Sequence, residues 1–183
     1  EQGILNGLYK FKHGEAKLKH KAHIFGSGPI VKEALRAQEI LADKYDVSAD
    51  VWSATSYKRL RNEALNAKRW NMLHPTATPK KSYLEHVLEK EHGVFVAASD
   101  YMKIVADQIA PWVPGGLMTL GTDGFGRSDT RARLRRFFEI DAESIVIATL
   151  FQLSQKGLVA KKVAEKAIKE LGIDPEKAFA VIV

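Results

Sequence analysis

Residues 120–142, LGTDGFGRSDTRARLRRFFEIDA, bring carboxylates, guanidinium groups and glycines together in one short stretch. A brief apolar run ends in a Gly-rich loop carrying Asp123, Phe125, Arg127, Ser128 and Asp129, and Arg131, Arg133, Arg135 and Arg136 follow at once. Four chemistries are compatible with such a stretch. It can cradle a phosphate on backbone N–H groups, hold a cofactor diphosphate through a metal ion, bind nucleic acid, or dock on another protein surface.

The first three can be tested against residue types. Gly26-Ser27-Gly28 stands between a strand and a helix, where backbone N–H groups can meet an anion, but neither a third glycine nor a Lys-Ser/Thr pair follows. A tight strand-to-helix turn with one glycine at positive φ is the favoured account of it. Gly121-Thr122-Asp123-Gly124 is similar to the opening of the thiamine diphosphate motif, in which an Asp and a later Asn hold Mg²⁺. Hard cations need oxygen ligands, and no asparagine follows Asn71, so that motif is absent. The six histidines show no metal-ligand spacing. His20 falls on the apolar phase of its strand and is expected to be a satisfied core histidine. Ser53, Ser56 and Ser99 lack a nucleophile-elbow setting and suit caps or turns. On the Arg-rich helix, Arg131 and Arg135 are i,i+4 neighbours, while Leu134, Phe137 and Phe138 form an apolar stripe. Bases would need exposed aromatics to stack on, yet both phenylalanines look committed to the core, so nucleic acid is disfavoured. Arginine's planar fork suits a protein contact better.

These residues need elements to place them. A hairpin is expected over 8–25, turning at 13–16, then GSG and a helix over 30–44, a strand at 49–54 and a helix from Ser56 to Trp70. HPTATP (74–79) breaks the chain. A helix near 83–89, a strand at 93–99, a helix over 100–109 and a strand at 116–122 lead to the Arg-rich helix. Asp141 caps a helix over 142–155 that Gly157 ends. A last helix covers 158–171, with Lys161, Lys162, Lys166 and Lys169 opposite its apolar stripe. Alternating strands and helices give an α/β three-layer sandwich around a mostly parallel, mixed sheet, its antiparallel edge supplied by the first hairpin. The turns after the parallel strands then share one edge, where α/β folds meet ligands or partners.

Composition bounds the classes. The chain has 183 residues, 45% hydrophobic and 27% charged, the balance of one soluble globular domain. Its longest strongly apolar stretch, 145–151, is too short to span a bilayer. Without cysteine it has no disulfide or thiolate metal site, which fits a reducing, cytoplasmic setting. The net charge of +6 fits an anionic partner or simply a solvated basic face. The chain opens on Glu1 rather than Met and carries no secretory signal pattern, so a piece of a longer polypeptide is expected.

Taken together, RWNMLHP (69–75), SDYMK (99–103) and the 120–142 stretch closely resemble the C-terminal domain of the homodimeric bacterial pyruvate dehydrogenases. GILNGLYKF (3–11) is similar to the segment leading into that domain. More distantly, the chain resembles the third domain of transketolases, whose corresponding loop is a shorter Phe-Gly-Ser. The match covers essentially the whole chain, 1–183, as one C-terminal domain, with 1–16 as lead-in segment and first strand.

The resemblance implies a transketolase C-terminal-domain-like fold and a parent enzyme that decarboxylates pyruvate and acetylates the lipoyl group of a partner acetyltransferase. It places thiamine diphosphate and Mg²⁺ in the preceding domains. No catalytic, cofactor-binding or metal-binding residue is therefore expected in this chain. It further implies packing on the preceding domains and the homodimer partner, with Asp123, Phe125, Arg127, Ser128, Asp129 and Arg131 at that contact. Trp70, Met72 and Phe125, read as loop residues, are expected on an apolar face that sister domains cover. Three alternatives stay open. The GSG turn and Arg cluster can make an autonomous anion- or nucleic-acid-binding module, or the domain can dock the acetyltransferase component. Within the loop, Ser128 or Asp129 can merely cap the helix and Asp123 only steady the turn.

Overall fold

The computed structural model describes residues 1–182. Five strands form one sheet: β1 Leu8–Lys12, β2 His20–Gly26, β3 Val47–Ala54, β4 Val94–Ala98 and β5 Met118–Leu120. Their order is β1-β3-β2-β4-β5. β3, β2, β4 and β5 are parallel, and β1 runs antiparallel along β3. The helices are α1 Gln2–Asn6, α2 Val31–Tyr45, α3 Tyr57–Leu73, α4 Tyr83–Leu88, α5 Lys103–Asp107, α6 Arg131–Phe137, α7 Ala142–Gln155 and α8 Lys161–Glu170.

Interior strands covered on both faces need apolar residues in both phases, and β2 supplies them. Ile24 packs with α2 and α7 in one core, and Phe25 packs with α3, α4 and α5 in the other. The three-layer α/β sandwich expected from the alternation of elements is thus present. Local signals fix its helices. Asp141 accepts a hydrogen bond from Ser144 N–H at the start of α7, and Gly157 ends that helix at φ 69°. Ser56 caps α3 through Arg59 N–H. Ser82 and Glu85 close a reciprocal capping box on α4. Lys161, Lys162, Lys166 and Lys169 are exposed on α8 while Ala167 is buried, as its stripe required.

The first hairpin does not form. β2 has a parallel partner on each side, β3 and β4, so β1 takes the one remaining edge of β3, with Leu8 opposite Ala54 and Lys10 opposite Trp52. The 13–19 link is tied down where it crosses, by Gly14 N–H to Asp50 Oδ1 at 2.8 Å and Gln38 Nε2 to the His13 carbonyl at 3.1 Å. The antiparallel edge is real, but its neighbour is β3.

The histidine reading shifts by one residue in phase. His20 is only half-buried, whereas His23 is fully buried on the α3–α5 face. Lysines at 17, 19 and 21 made that phase look solvated, but beyond Lys21 helices cover it.

Tyr57, at the start of α3, is buried and its hydroxyl has no hydrogen-bond partner among the described residues. Burial accordingly raises its pKa. An unmet buried hydroxyl costs free energy rather than supplying it. Tyr57→Phe is therefore expected to leave stability unchanged or raise it by up to about 1 kcal/mol, measured by thermal or denaturant unfolding. A loss above that would reveal a partner for the hydroxyl.

Candidate contact site at the carboxyl edge of the sheet

The turns leaving the parallel strands meet along one edge and are stitched to each other. Ser27 N–H donates to the Ala98 carbonyl at 3.3 Å and Ser99 N–H to the Leu120 carbonyl at 3.1 Å. Thr122 N–H donates to the Tyr101 carbonyl and its hydroxyl to the Asp100 carbonyl, both at 2.9 Å. Asp123 Oδ1 accepts from Lys103 N–H at 2.9 Å. The helix expected from residue 100 starts instead at Lys103, and this carboxylate meets its first N–H. Asp123 therefore ties two turns together rather than steadying only its own.

Ser27 is buried and its N–H is spent on β4, so GSG is a turn. Gly28 adopts φ 53°, the left-handed region that favours glycine. The chain leaves β2 towards β3 and leaves the neighbouring β4 in the opposite direction, towards β5, and a cleft of about 570 Å³ opens at this switch point. Pro29, Asp100, Thr122, Asp129, Arg131 and Leu134 are among the residues that line it.

The Gly-rich loop is anchored from within. Gly124, at φ 98°, lies so close to the Ala180 carbonyl that any Cβ there would collide with it. Its side chains are nevertheless turned outward. Phe125 is 80% exposed, and Arg127, Ser128, Asp129 and Arg131 are exposed. Arg127 lies 5.2 Å from the centre of the Phe137 ring, and Lys177 approaches the same ring at 5.4 Å. Phe137 is thus half-buried under two cations rather than in the core, and Phe138 is the one that packs inward. The helix cap is Thr130, which accepts from Arg133 N–H, instead of Ser128 or Asp129. Asp129 accepts from Thr130 N–H at 2.6 Å and lies 3.7 Å from Arg133.

The arginines divide into two sets. Arg135 and Arg136 are consumed internally. Arg135 reaches Glu33 at 2.7 Å, and Arg136 pairs with Asp141 at 2.6 Å and Glu143 at 3.3 Å. Arg133 faces Asp129 at 3.7 Å, and among the described residues Arg127 and Arg131 have no carboxylate partner; with Arg135 and Arg136 paired, the arginines of 131–136 present less free charge than their number suggests. Glu33, 6% exposed, also accepts from Arg36 at 2.9 Å and from Ala142 N–H at 3.1 Å. It pins α6 and the start of α7 to α2. Nothing in the sequence around Glu33 marks it beyond its place in the first turn of α2.

Trp70 and Met72 are not brought to this edge. Both lie in α3, on the opposite face of the sheet from α6 and α7. Trp70 is half-buried, stacked on His74 at 4.3 Å with Lys80 Nζ 4.0 Å from its ring centre. Met72 is 71% exposed. Trp70, Met72 and Phe125 therefore do not make one patch.

Sequence spacing also gave no hint of a cluster in which His23, Asp50 and Glu91 offer ligand atoms within 4.8 Å of one another. Every one of those atoms already has a partner. Asp50 receives Lys10 at 2.9 Å, Lys21 at 2.8 Å and Gly14 N–H, and Glu91 receives Lys10 at 2.6 Å. His23 accepts from Trp52 Nε1–H on Nδ1 and donates Nε2–H to the His92 carbonyl. Two ammonium groups stand where a cation would be needed, which makes this an internal ion-pair network.

Comparison with known proteins agrees with this architecture. Residues 7–141 match the family model of the transketolase-like TK C-terminal domain. The chain is 44% identical over 178 residues to the pyruvate dehydrogenase E1 component of Pseudomonas aeruginosa, and 43% identical to that of Escherichia coli K12. Each alignment covers 97% of this chain but 20% of the relative, so the chain spans about a fifth of their length. Among solved structures, the transketolase of Leishmania mexicana superposes with a TM-score of 0.58 at 16% identity, over 84% of this chain and 19% of that one, which speaks to the fold. No helix among the described residues is long and apolar enough to cross a membrane. The chain belongs to the transketolase-like TK C-terminal domain family.

Proposed function

We propose that this chain is the non-catalytic C-terminal domain of a homodimeric, thiamine diphosphate-dependent pyruvate dehydrogenase, and that its carboxyl edge is a contact surface for the preceding domains or the dimer partner. In that setting the parent decarboxylates pyruvate and passes the acetyl group to the lipoyl group of an acetyltransferase component in the cytoplasm. One observation carries the reading. The Asp123–Arg131 loop is fixed from inside by Lys103 and Ala180, yet it offers an 80% exposed Phe125 together with Arg127 and Arg131, which meet no carboxylate among the described residues. An aromatic side chain held out from an anchored loop, with arginines at its flanks, supports a contact role because aromatics and arginine are enriched at interfaces.

The residues present do not fit the cofactor's diphosphate. Asp123, the one carboxylate of the GTDG stretch, is bound to Lys103 N–H, and no asparagine follows to share a Mg²⁺. Calorimetric titration of the 183-residue chain with thiamine diphosphate and Mg²⁺ tests this part. No saturable heat is expected, and a saturable micromolar site would contradict the assignment.

A further inference from the structure

We infer that residues 174–182, which follow α8, form a strap that holds the Gly-rich loop in its outward conformation and so governs the presentation of Phe125. The strap is fastened at successive points. Arg136 of α6 donates to the Leu171 and Gly172 carbonyls at 3.5 and 3.4 Å, which brings the end of α8 to α6. Lys177 then donates to the Phe137 carbonyl at 2.6 Å and pairs with Glu139 at 3.0 Å. Farther along, the Phe179 ring centre lies 4.7 Å from Lys103 Nζ. Ala180, 6% exposed, carries the carbonyl against which Gly124 is seated.

The loop has little else to rest on. Among the described residues, 124–128 make no backbone–backbone hydrogen bond, and segments of that kind open locally at low cost. Two anchors are shared between loop and strap. Lys103 gives its N–H to Asp123 and its ammonium to the Phe179 ring. Phe137 lies under both Arg127 of the loop and Lys177 of the strap, at 5.2 and 5.4 Å. Displacing the strap therefore frees the backbone at Gly124 and loosens both anchors.

The strap is itself built to lift. It contains no helix or strand, and Ala180 is its one buried residue. Its internal bonds are short-range, from Lys177 N–H to the Asp174 carbonyl at 3.4 Å and from Ile182 N–H to the Phe179 carbonyl at 3.0 Å. None of its residues belongs to either core cluster, so it can come away without unfolding the sheet. The consequence for Phe125 as a contact rests on the function proposed above, whereas the restraint on the loop does not.

Trypsin cleavage after Arg127 in the 183-residue chain reads the loop directly, because cleavage tracks the fraction of time a segment is open. Removing residues 174–183 should speed it about tenfold, with the amide NMR spectrum of β2, β3 and β4 retained. Gly124→Ala approaches the same contact from the loop side without shortening the chain. Its added Cβ should push the Ala180 carbonyl away and speed amide hydrogen exchange at 177–182 about tenfold. Unchanged cleavage in the shortened chain with its sheet intact would overturn the strap, because the Asp123–Lys103 bond alone would then hold the loop. Should the shortened chain unfold, Gly124→Ala decides, and unaltered exchange at 177–182 overturns the inference. Both readings come from the isolated chain, so they can fail while the contact assignment stands. Conversely, unaltered dimer dissociation in Phe125→Ala of a full-length enzyme would remove the contact assignment and leave the strap in place.

Discussion

Glu33→Ala is expected to destabilise the fold by about 3–5 kcal/mol, the usual cost of breaking a buried ion pair from one side. Glu33 is 6% exposed and serves donors from three elements: Arg36 in α2, Arg135 in α6 and Ala142 N–H at the start of α7. Removing the carboxylate strands Arg135, whose side chain is 15% exposed, and leaves the Ala142 N–H without its acceptor. Glu33→Gln keeps an oxygen for one of these donors and should cost less. Chemical denaturation of the wild type, both single variants and the Glu33→Ala/Arg135→Ala pair measures the effect and the coupling. A loss under about 1 kcal/mol, the range of exposed pairs, would mean that α6 is held by its apolar contacts alone.

The Asp50 network should give the second large effect, and it should depend on pH. Burial pushes the Asp50 carboxyl up, but Gly14 N–H, Lys10 and Lys21 outweigh it and hold the group at about 2, against an ordinary 3.8. A carboxyl with a depressed folded pKa stabilises above its unfolded pKa and loses that contribution as pH falls through the folded one. About 2 kcal/mol should accordingly disappear between about pH 4 and pH 2. His23 acts earlier. Burial lowers its pKa below 6.5, despite the His92 carbonyl, Glu91 and Asp50. The unfolded chain then takes up that proton first, so stability should begin to fall as pH drops below about 6.5. Asp50→Ala strands Lys10 and Lys21 and should cost about 3–5 kcal/mol at neutral pH. It should also flatten the acid limb below about pH 4 and leave the His23 limb in place. Unfolding followed from pH 8 to pH 2 in both proteins checks this. An acid limb unchanged by Asp50→Ala would place the pH dependence elsewhere.

What could be read from the sequence follows from the range of each interaction. Caps such as Asp141 and Ser56 act within three residues and are legible, as are the parallel strands and the helix boundary set by Gly157. β1 departs from the expected hairpin because strand adjacency depends on which edges remain free, a property of the whole sheet. The burial of His23 is not legible locally, because helices distant in sequence cover a phase whose lysines look solvated. The arginine run was legible as charge but not as partnership. Arg135 finds Glu33 across 102 residues, whereas Arg131, four residues earlier, finds no carboxylate among the described residues. Thr130 takes the cap in place of Ser128 or Asp129, a difference that only the backbone conformation decides. The loop residues themselves lie at the carboxyl edge, as their position after a parallel strand implied.

The contact surface is tested most directly in a full-length enzyme containing this domain, by measuring dimer dissociation and pyruvate decarboxylation separately for Phe125→Ala and Arg127→Ala. Within the domain itself Arg127 is exposed against Phe137, and its loss should cost under about 1 kcal/mol of fold stability. Any larger effect must therefore arise at the contact. Sedimentation should show dissociation increased about tenfold for Phe125→Ala, as expected for an apolar anchor, with decarboxylation per assembled dimer unchanged. Unaltered dissociation accompanied by lost decarboxylation would place the loop at the reaction centre and contradict its assignment as a contact surface.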